Sequence, residues 1–127
     1  MITEERVLRV DYLSENPVTA KAIRKLTRQD PLLSSVYRFV MEGWPESVDP
    51  NTMPYFRGRN ELTVQDGCLV WGNRVIVPPS GRATVQAVLH KAHPGIVRMK
   101  TLSKNYVWWP GIGQDLERTV KECEACQ

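Results

Sequence analysis

The sequence predicts an α+β fold, mainly α: an N-terminal helical pair, then a small antiparallel three-stranded meander, then a C-terminal three-helix bundle. Three observations predict it. Apolar residues recur at helical spacing over 18–43 and again over 83–122. Between these stretches, Asp66-Gly67 and Gly72-Asn73 punctuate short runs rich in Val, Leu and Ile, as two-residue hairpin turns do. Both histidines of the chain and two of its three cysteines stand in the last third, as His90-x-x-His93 and Cys123-x-x-Cys126.

Residues 1–17 carry a short amphipathic piece around Val7, Leu8, Val10 and Leu13 and end at Asn16-Pro17, which reads as a linker. Residues 18–60 hold the helical pair and a loop. Over 18–29, Val18, Ala22, Ile23 and Leu26 share one helical face, while Lys21, Arg24, Lys25 and Arg28 form a basic stripe on the other. Such a stripe suits a phosphate backbone, although a solvated outer face is the commoner reason for one. Asp30-Pro31 is a helix start, with Asp as N-cap and Pro at the first helical position, and Leu32, Leu33, Val36, Phe39 and Val40 keep the period up to Gly43. Prolines 45, 50 and 54 mark the stretch from Trp44 to Pro54 as a loop.

Residues 61–79 form the meander, its strands at 61–65, 68–71 and 74–77. Cys68 lies within a strand and is expected to act as a small buried apolar residue. Residues 80–127 form the C-terminal unit. Its first helix, Ala83 to Ala92, delivers His90 in its last turn, and Pro94 disfavours helical geometry at His93, placing it just past the end. A second helix starts at Pro94-Gly95, with Ile96, Val97, Met99 and Leu102 inward and Arg98, Lys100 and Lys104 outward. Tyr106-Val107-Trp108-Trp109-Pro110-Gly111 interrupts it. In the last helix, about 113–122, the spacing of Ile112, Leu116, Val120 and Cys123 puts Cys123 on the buried face, and Cys126 reaches the same point from a turn.

His90, His93, Cys123 and Cys126 are therefore four soft ligands in two pairs, separated by 29 residues, a length that suits two helices folding back onto one metal. One structural Zn²⁺ is the natural cofactor, since zinc favours tetrahedral sites of Cys sulfur and His nitrogen, and a unit this small has a marginal core. Apparent binding free energies for structural zinc are on the order of 10 to 16 kcal/mol, against roughly 3 to 5 kcal/mol from such a core. The competing readings fit less well. Surface histidines and incidental cysteines would require four coincidences. A Cys nucleophile has no orienting third residue or oxyanion device beside it, and a redox Cys-x-x-Cys normally opens a helix, whereas this one closes one.

The 127 residues include 17 basic and 14 acidic side chains, a net charge of +3 with 42% hydrophobic residues. That balance fits an ordinary soluble core and is compatible with nucleic acid without demanding it. No apolar run approaches the ~20 residues of a membrane helix, and the N-terminus lacks the order of a signal peptide, so no membrane partner and an intracellular location are expected.

The words His93-Pro94-Gly95-Ile96-Val97-Arg98-Met99-Lys100, Tyr106-Val107-Trp108-Trp109-Pro110-Gly111 and Cys123-Glu124-Ala125-Cys126-Gln127 resemble the His-His-Cys-Cys zinc-binding N-terminal domain of integrases from Gypsy-type long-terminal-repeat retrotransposons and retroviruses. The segments before it resemble what lies between RNase H and integrase in such Pol polyproteins, so the resemblance covers about residues 18–127. It implies His90, His93, Cys123 and Cys126 as zinc ligands, a Trp108-Trp109-Pro110 turn packed beneath the metal, and activity in the cytoplasm and nucleus. The family often has three or more residues between its histidines, whereas this chain has two. The chain ends one residue after its last candidate ligand and holds no carboxylate-built catalytic core. Integrase, RNase H and RNA-directed DNA polymerase activities are thus expected of a parent polyprotein, and this module is expected not to be an enzyme.

The implied role is binding to DNA ends, to other integrase subunits or to other parts of the polyprotein, with Lys91, Arg98, Lys100 and Lys104 as phosphate contacts. The alternative is a protein-protein interaction module of a domesticated, retrotransposon-derived host protein that does not bind DNA, with Trp44, Tyr55 and Phe56 as exposed assembly residues.

Overall fold

A computed structural model describes residues 20–90 and 95–123, the side chain of Leu102 excepted. The linker reading of 1–17, the segment 91–94 with Lys91 and His93, the inward placement of Leu102, and Cys126 all lie outside the described residues. In chain order the elements are α1 (Ala20–Gln29), α2 (Pro31–Glu42), α3 (Met53–Arg57), a 3₁₀ turn (Arg59–Glu61), β1 (Leu62–Gln65), β2 (Cys68–Trp71), β3 (Arg74–Ile76), α4 (Pro79–His90), α5 (Ile96–Tyr106), β4 (Val107–Trp108) and α6 (Ile112–Glu122).

Local chemistry accounts for most of these boundaries. Asp30 is extended (φ −82°, ψ 121°), and its carboxylate accepts the Leu33 N–H at 2.9 Å, capping α2. The helix ends where Gly43 turns to φ 120° and donates its N–H to the Phe39 carbonyl. Asp66 and Gly67 sit at φ 55° and 78°, the paired left-handed values of a type I′ hairpin, and Gln65 faces Cys68 across them. Gly67 also lets the Arg24 side chain lie against the turn, with a guanidinium N–H donated to the Asp66 carbonyl at 3.1 Å. That contact fixes one member of the basic stripe to the hairpin.

The structure departs from the expected elements in three places. The proline-punctuated loop contains α3, because Pro54 lies in the first turn of that helix, where its missing N–H costs nothing. Helix α4 starts at Pro79 rather than near residue 83, again with proline at a first helical position. The sheet has four strands in the order β1-β2-β3-β4: β1, β2 and β3 form the expected antiparallel meander, and β4 joins β3 in parallel, pairing Val75 with Val107 and Ile76 with Trp108. Two residues are too few for an alternating pattern to show in a sequence.

The sheet lies between two cores, and alternation along its strands sorts the side chains. Cys68, Val75, Val77, Val107 and Trp109 face one core with Ile23 of α1, Val85 and Leu89 of α4, Met99 of α5 and Leu116 of α6. Leu62, Leu69 and Ile76 face the other with Leu33 and Val36 of α2 and Tyr55 of α3, and Trp71 and Trp108 pack against it. The helical pair thus straddles the sheet, one helix on each face. Val97, expected inward, is 77% exposed. On α5, Met99 and Ser103 are buried, which turns position 97 to the outside. Tyr55, expected exposed, is 1% exposed, because the T-shaped contact of its ring with Trp108 at 5.8 Å draws it into the second core. Trp44 and Phe56 are half-buried against each other at 5.7 Å. No described helix is long and apolar enough to cross a membrane.

Cys68 is buried as expected, with its thiol donated to the Ala20 carbonyl at 3.5 Å. Burial pushes this thiol from the ordinary 9.0 up to about 11, with Arg24 partly opposing and Asp66 assisting. A folded-state value above the unfolded one stabilises fully below the unfolded value and is lost as pH rises through the folded one. Relative to Cys68→Ala, the wild-type unfolding free energy should therefore fall by on the order of 1 to 2 kcal/mol between about pH 8 and about pH 10.5, measured by urea denaturation at each pH.

Candidate metal centre

His90 is the last residue of α4 and is half-buried. Cys123 directly follows α6, with extended backbone (φ −92°, ψ 118°) and its N–H donated to the Val120 carbonyl; it too is half-buried. Both therefore stand at a helix end, and Cys123, expected on the buried face, is half-buried there. Leu89, next to His90, is 1% exposed, and Leu116, two turns before Cys123, is fully buried, so the two helices meet through those residues.

A polar contact fixes how they meet. The Thr119 hydroxyl donates to the Gln86 side-chain carbonyl at 2.6 Å, joining α6 to α4. Four residues on, about one turn along the same helical face, Gln86 leads to His90 and Thr119 leads to Cys123. The hydrogen bond thus ties together the turns that immediately precede the two described candidate ligands. Neither Gln86 nor Thr119 stands out in the sequence, because only the packing of α4 on α6 makes them partners.

The aromatic turn supports the same region from the N-terminal side of α6. Trp109 is fully buried in the core shared by α4, α5 and α6, and its indole N–H donates to Asp115 in the first turn of α6 at 2.7 Å. Trp108 goes the other way. It projects to the opposite face of the sheet and packs on Trp71 with ring centroids 4.5 Å apart, so the turn does not pack into one core as a unit.

Imidazole and thiol at helix ends are donors that suit zinc. Among the described residues no group of three or more ligand side chains gathers, since His93 and Cys126 fall outside them. Of the expected phosphate contacts, Arg98 and Lys104 are exposed on α5, whereas Lys100 forms an ion pair with Glu117 of α6.

Residues 77–127 match the integrase zinc binding domain. The match includes all four candidate ligands, from His90 to Cys126. An uncharacterized protein of Caenorhabditis elegans is 39% identical over 114 residues, 88% of this chain and 9% of that protein. The pesticidal crystal proteins Cry5Ac and Cry5Aa of Bacillus thuringiensis are each 38% identical over 80 residues, 61% of this chain and 6% of theirs. The chain therefore spans less than a tenth of the length of these relatives. No solved structure matches it.

The Gln86 to Thr119 bond is testable without touching a candidate ligand. Thr119→Val should cost about 1 kcal/mol of stability, measured by urea denaturation. Unchanged stability would show that this bond does not hold the helix ends in place.

Proposed function

We propose that the chain is a zinc-stabilised, non-catalytic module of a retrotransposon integrase or Pol polyprotein, which contacts DNA ends or other integrase subunits during integration. The observation that carries this reading is the integrase zinc binding domain match over residues 77–127. In support, the two described ligand residues stand at helix ends whose preceding turns are hydrogen-bonded to each other. His90, His93, Cys123 and Cys126 would hold one Zn²⁺. When bound, the ion supplies a cross-link among the ends of a small helical unit, and four protein ligands leave no position for a reacting water. α4, α5 and α6 would then form the expected zinc-binding three-helix bundle, and the role of the module is binding.

The decisive measurement is metal content with chelation. One equivalent of zinc is expected, together with loss of helical circular dichroism over the C-terminal unit on its removal, and His90→Ala or Cys123→Ala should reproduce that loss. A chain that holds no zinc and keeps its helicity in chelator would overturn the proposal.

For DNA, the exposed Arg98 and Lys104 are the stronger phosphate contacts, because Lys100 is already paired with Glu117. Each of Arg98→Ala and Lys104→Ala should reduce the slope of log affinity against log salt by about one, with little change in sequence preference, whereas Lys100→Ala should change it less. Equal slopes for wild type and variants, with self-association retained in sedimentation, would favour the protein-interaction module instead.

A further inference from the structure

The whole chain carries a net charge of +3, yet α1 alone carries +4, from Lys21, Arg24, Lys25 and Arg28, with no acid among its 10 residues. Positive charge is thus concentrated on this helix and balanced elsewhere. The inward side of α1 is fixed. Ile23 and Thr27 are fully buried, Ile23 in the core it shares with α4, α5 and α6, and the Thr27 hydroxyl donates to the Ile23 carbonyl at 2.7 Å. With these two positions turned in, Lys21, Lys25 and Arg28 are exposed along the opposite side.

Arg24 is used within the fold, since its guanidinium donates to the Asp66 carbonyl at 3.1 Å and lies against the hairpin turn. The other three cations differ. Among the described residues, Lys21, Lys25 and Arg28 meet no carboxylate at ion-pair distance, whereas Lys100 is paired with Glu117 and Arg118 with Asp115. Asp30, which follows the helix, turns its carboxylate to the Leu33 N–H. Positions 21, 25 and 28 stand at i, i+4 and i+7, a single row about 10 Å long on an α-helix. Along one strand of duplex DNA a phosphate recurs about every 3.4 Å, so several fall within that length.

We propose that α1 binds the phosphate backbone of duplex DNA through Lys21, Lys25 and Arg28, without regard to sequence or to the position of an end. Contacts made to phosphate alone carry no sequence information. The chemistry of the helix disfavours other polyanionic partners. A protein surface is held chiefly by buried apolar anchors, and the outward row of α1 offers none. A membrane surface needs an apolar face to receive, and the apolar side of α1 is committed to the core through Ile23. A single strand needs aromatic rings on which its bases stack, and α1 has no aromatic residue. In choosing DNA over RNA the proposal rests on the integrase reading, but its three residues lie outside the matched segment 77–127 and apart from Arg98 and Lys104 of α5.

The test uses the full chain and a fluorescent duplex of about 30 base pairs, titrated by anisotropy at several salt concentrations. Lys21→Gln, Lys25→Gln and Arg28→Gln together should lower the slope of log affinity against log salt by about 2.7 and weaken binding at least about tenfold at about 0.1 M salt. Lys21→Arg with Lys25→Arg keeps the charge and should keep the wild-type slope. In the wild type, the duplex should shift the backbone amide resonances of α1, a measurement that serves if the Gln variant does not fold. An unchanged slope in a folded Gln variant, or no shift in α1, would overturn the proposal. Slope loss confined to Arg98→Ala and Lys104→Ala would overturn it and leave the integrase reading standing. Slope loss in the α1 variant of a chain that holds no zinc would uphold it and count against that reading. Equal or tighter binding of duplex RNA, polyglutamate or phosphatidylserine vesicles would assign α1 to that partner and overturn the proposal.

Discussion

The arrangement depends on one constraint, the two-residue period of a small sheet with both faces covered. Adjacent residues on β2, β3 and β4 must point to opposite sides, so each short run of apolar side chains is divided between two cores. Cys68 and Leu69, Val75 and Ile76, and Val107 and Trp108 are the dividing pairs. A slip of one residue anywhere in the register would exchange the contents of the two cores. The hairpin turns prevent it, since Asp66, Gly67 and Gly72 hold left-handed backbone that only a two-residue loop at those positions can use.

The parallel pairing of β4 with β3 transmits this order to the C-terminal helices. Strand β4 lies between α5 and α6, so its two hydrogen-bonded residues set where α5 stops and where the chain turns toward α6. Trp109 then enters the core beneath α4, α5 and α6 and ties itself to Asp115. The ends of α4 and α6, which carry His90 and Cys123, are thus located by a sheet formed mostly from residues far earlier in the chain. The region that matches the integrase zinc binding domain is built onto that sheet and shares a core with Ile23 of α1 and Cys68 of β2.

Much of this was legible because local chemistry leaves strong marks. The Asp30-Pro31 start, the Gly43 stop, both hairpin turns and the burial of Cys68 follow from residue types whose backbone or solvation preferences admit few alternatives. His90 and Cys123, the two described candidate ligands, stand at helix ends. Less legible were features whose signal is short or non-local. Strand β4 has two residues, α3 has five, and Val97 belongs to a helix with so narrow a buried stripe that apolar character alone misplaces it. Tyr55 reads as a surface residue because its partner, Trp108, lies more than fifty positions away.

Neighbours a few residues apart fix most of the element types, the turn chemistry and the four candidate ligands in their two pairs. Tertiary packing alone places α1 and α2 on opposite faces of one sheet and makes Gln86 and Thr119 join the helices leading to His90 and Cys123. Gln86 and Thr119 are 33 residues apart in the chain, and polar side chains on helix surfaces carry no pattern that says which helix they will face.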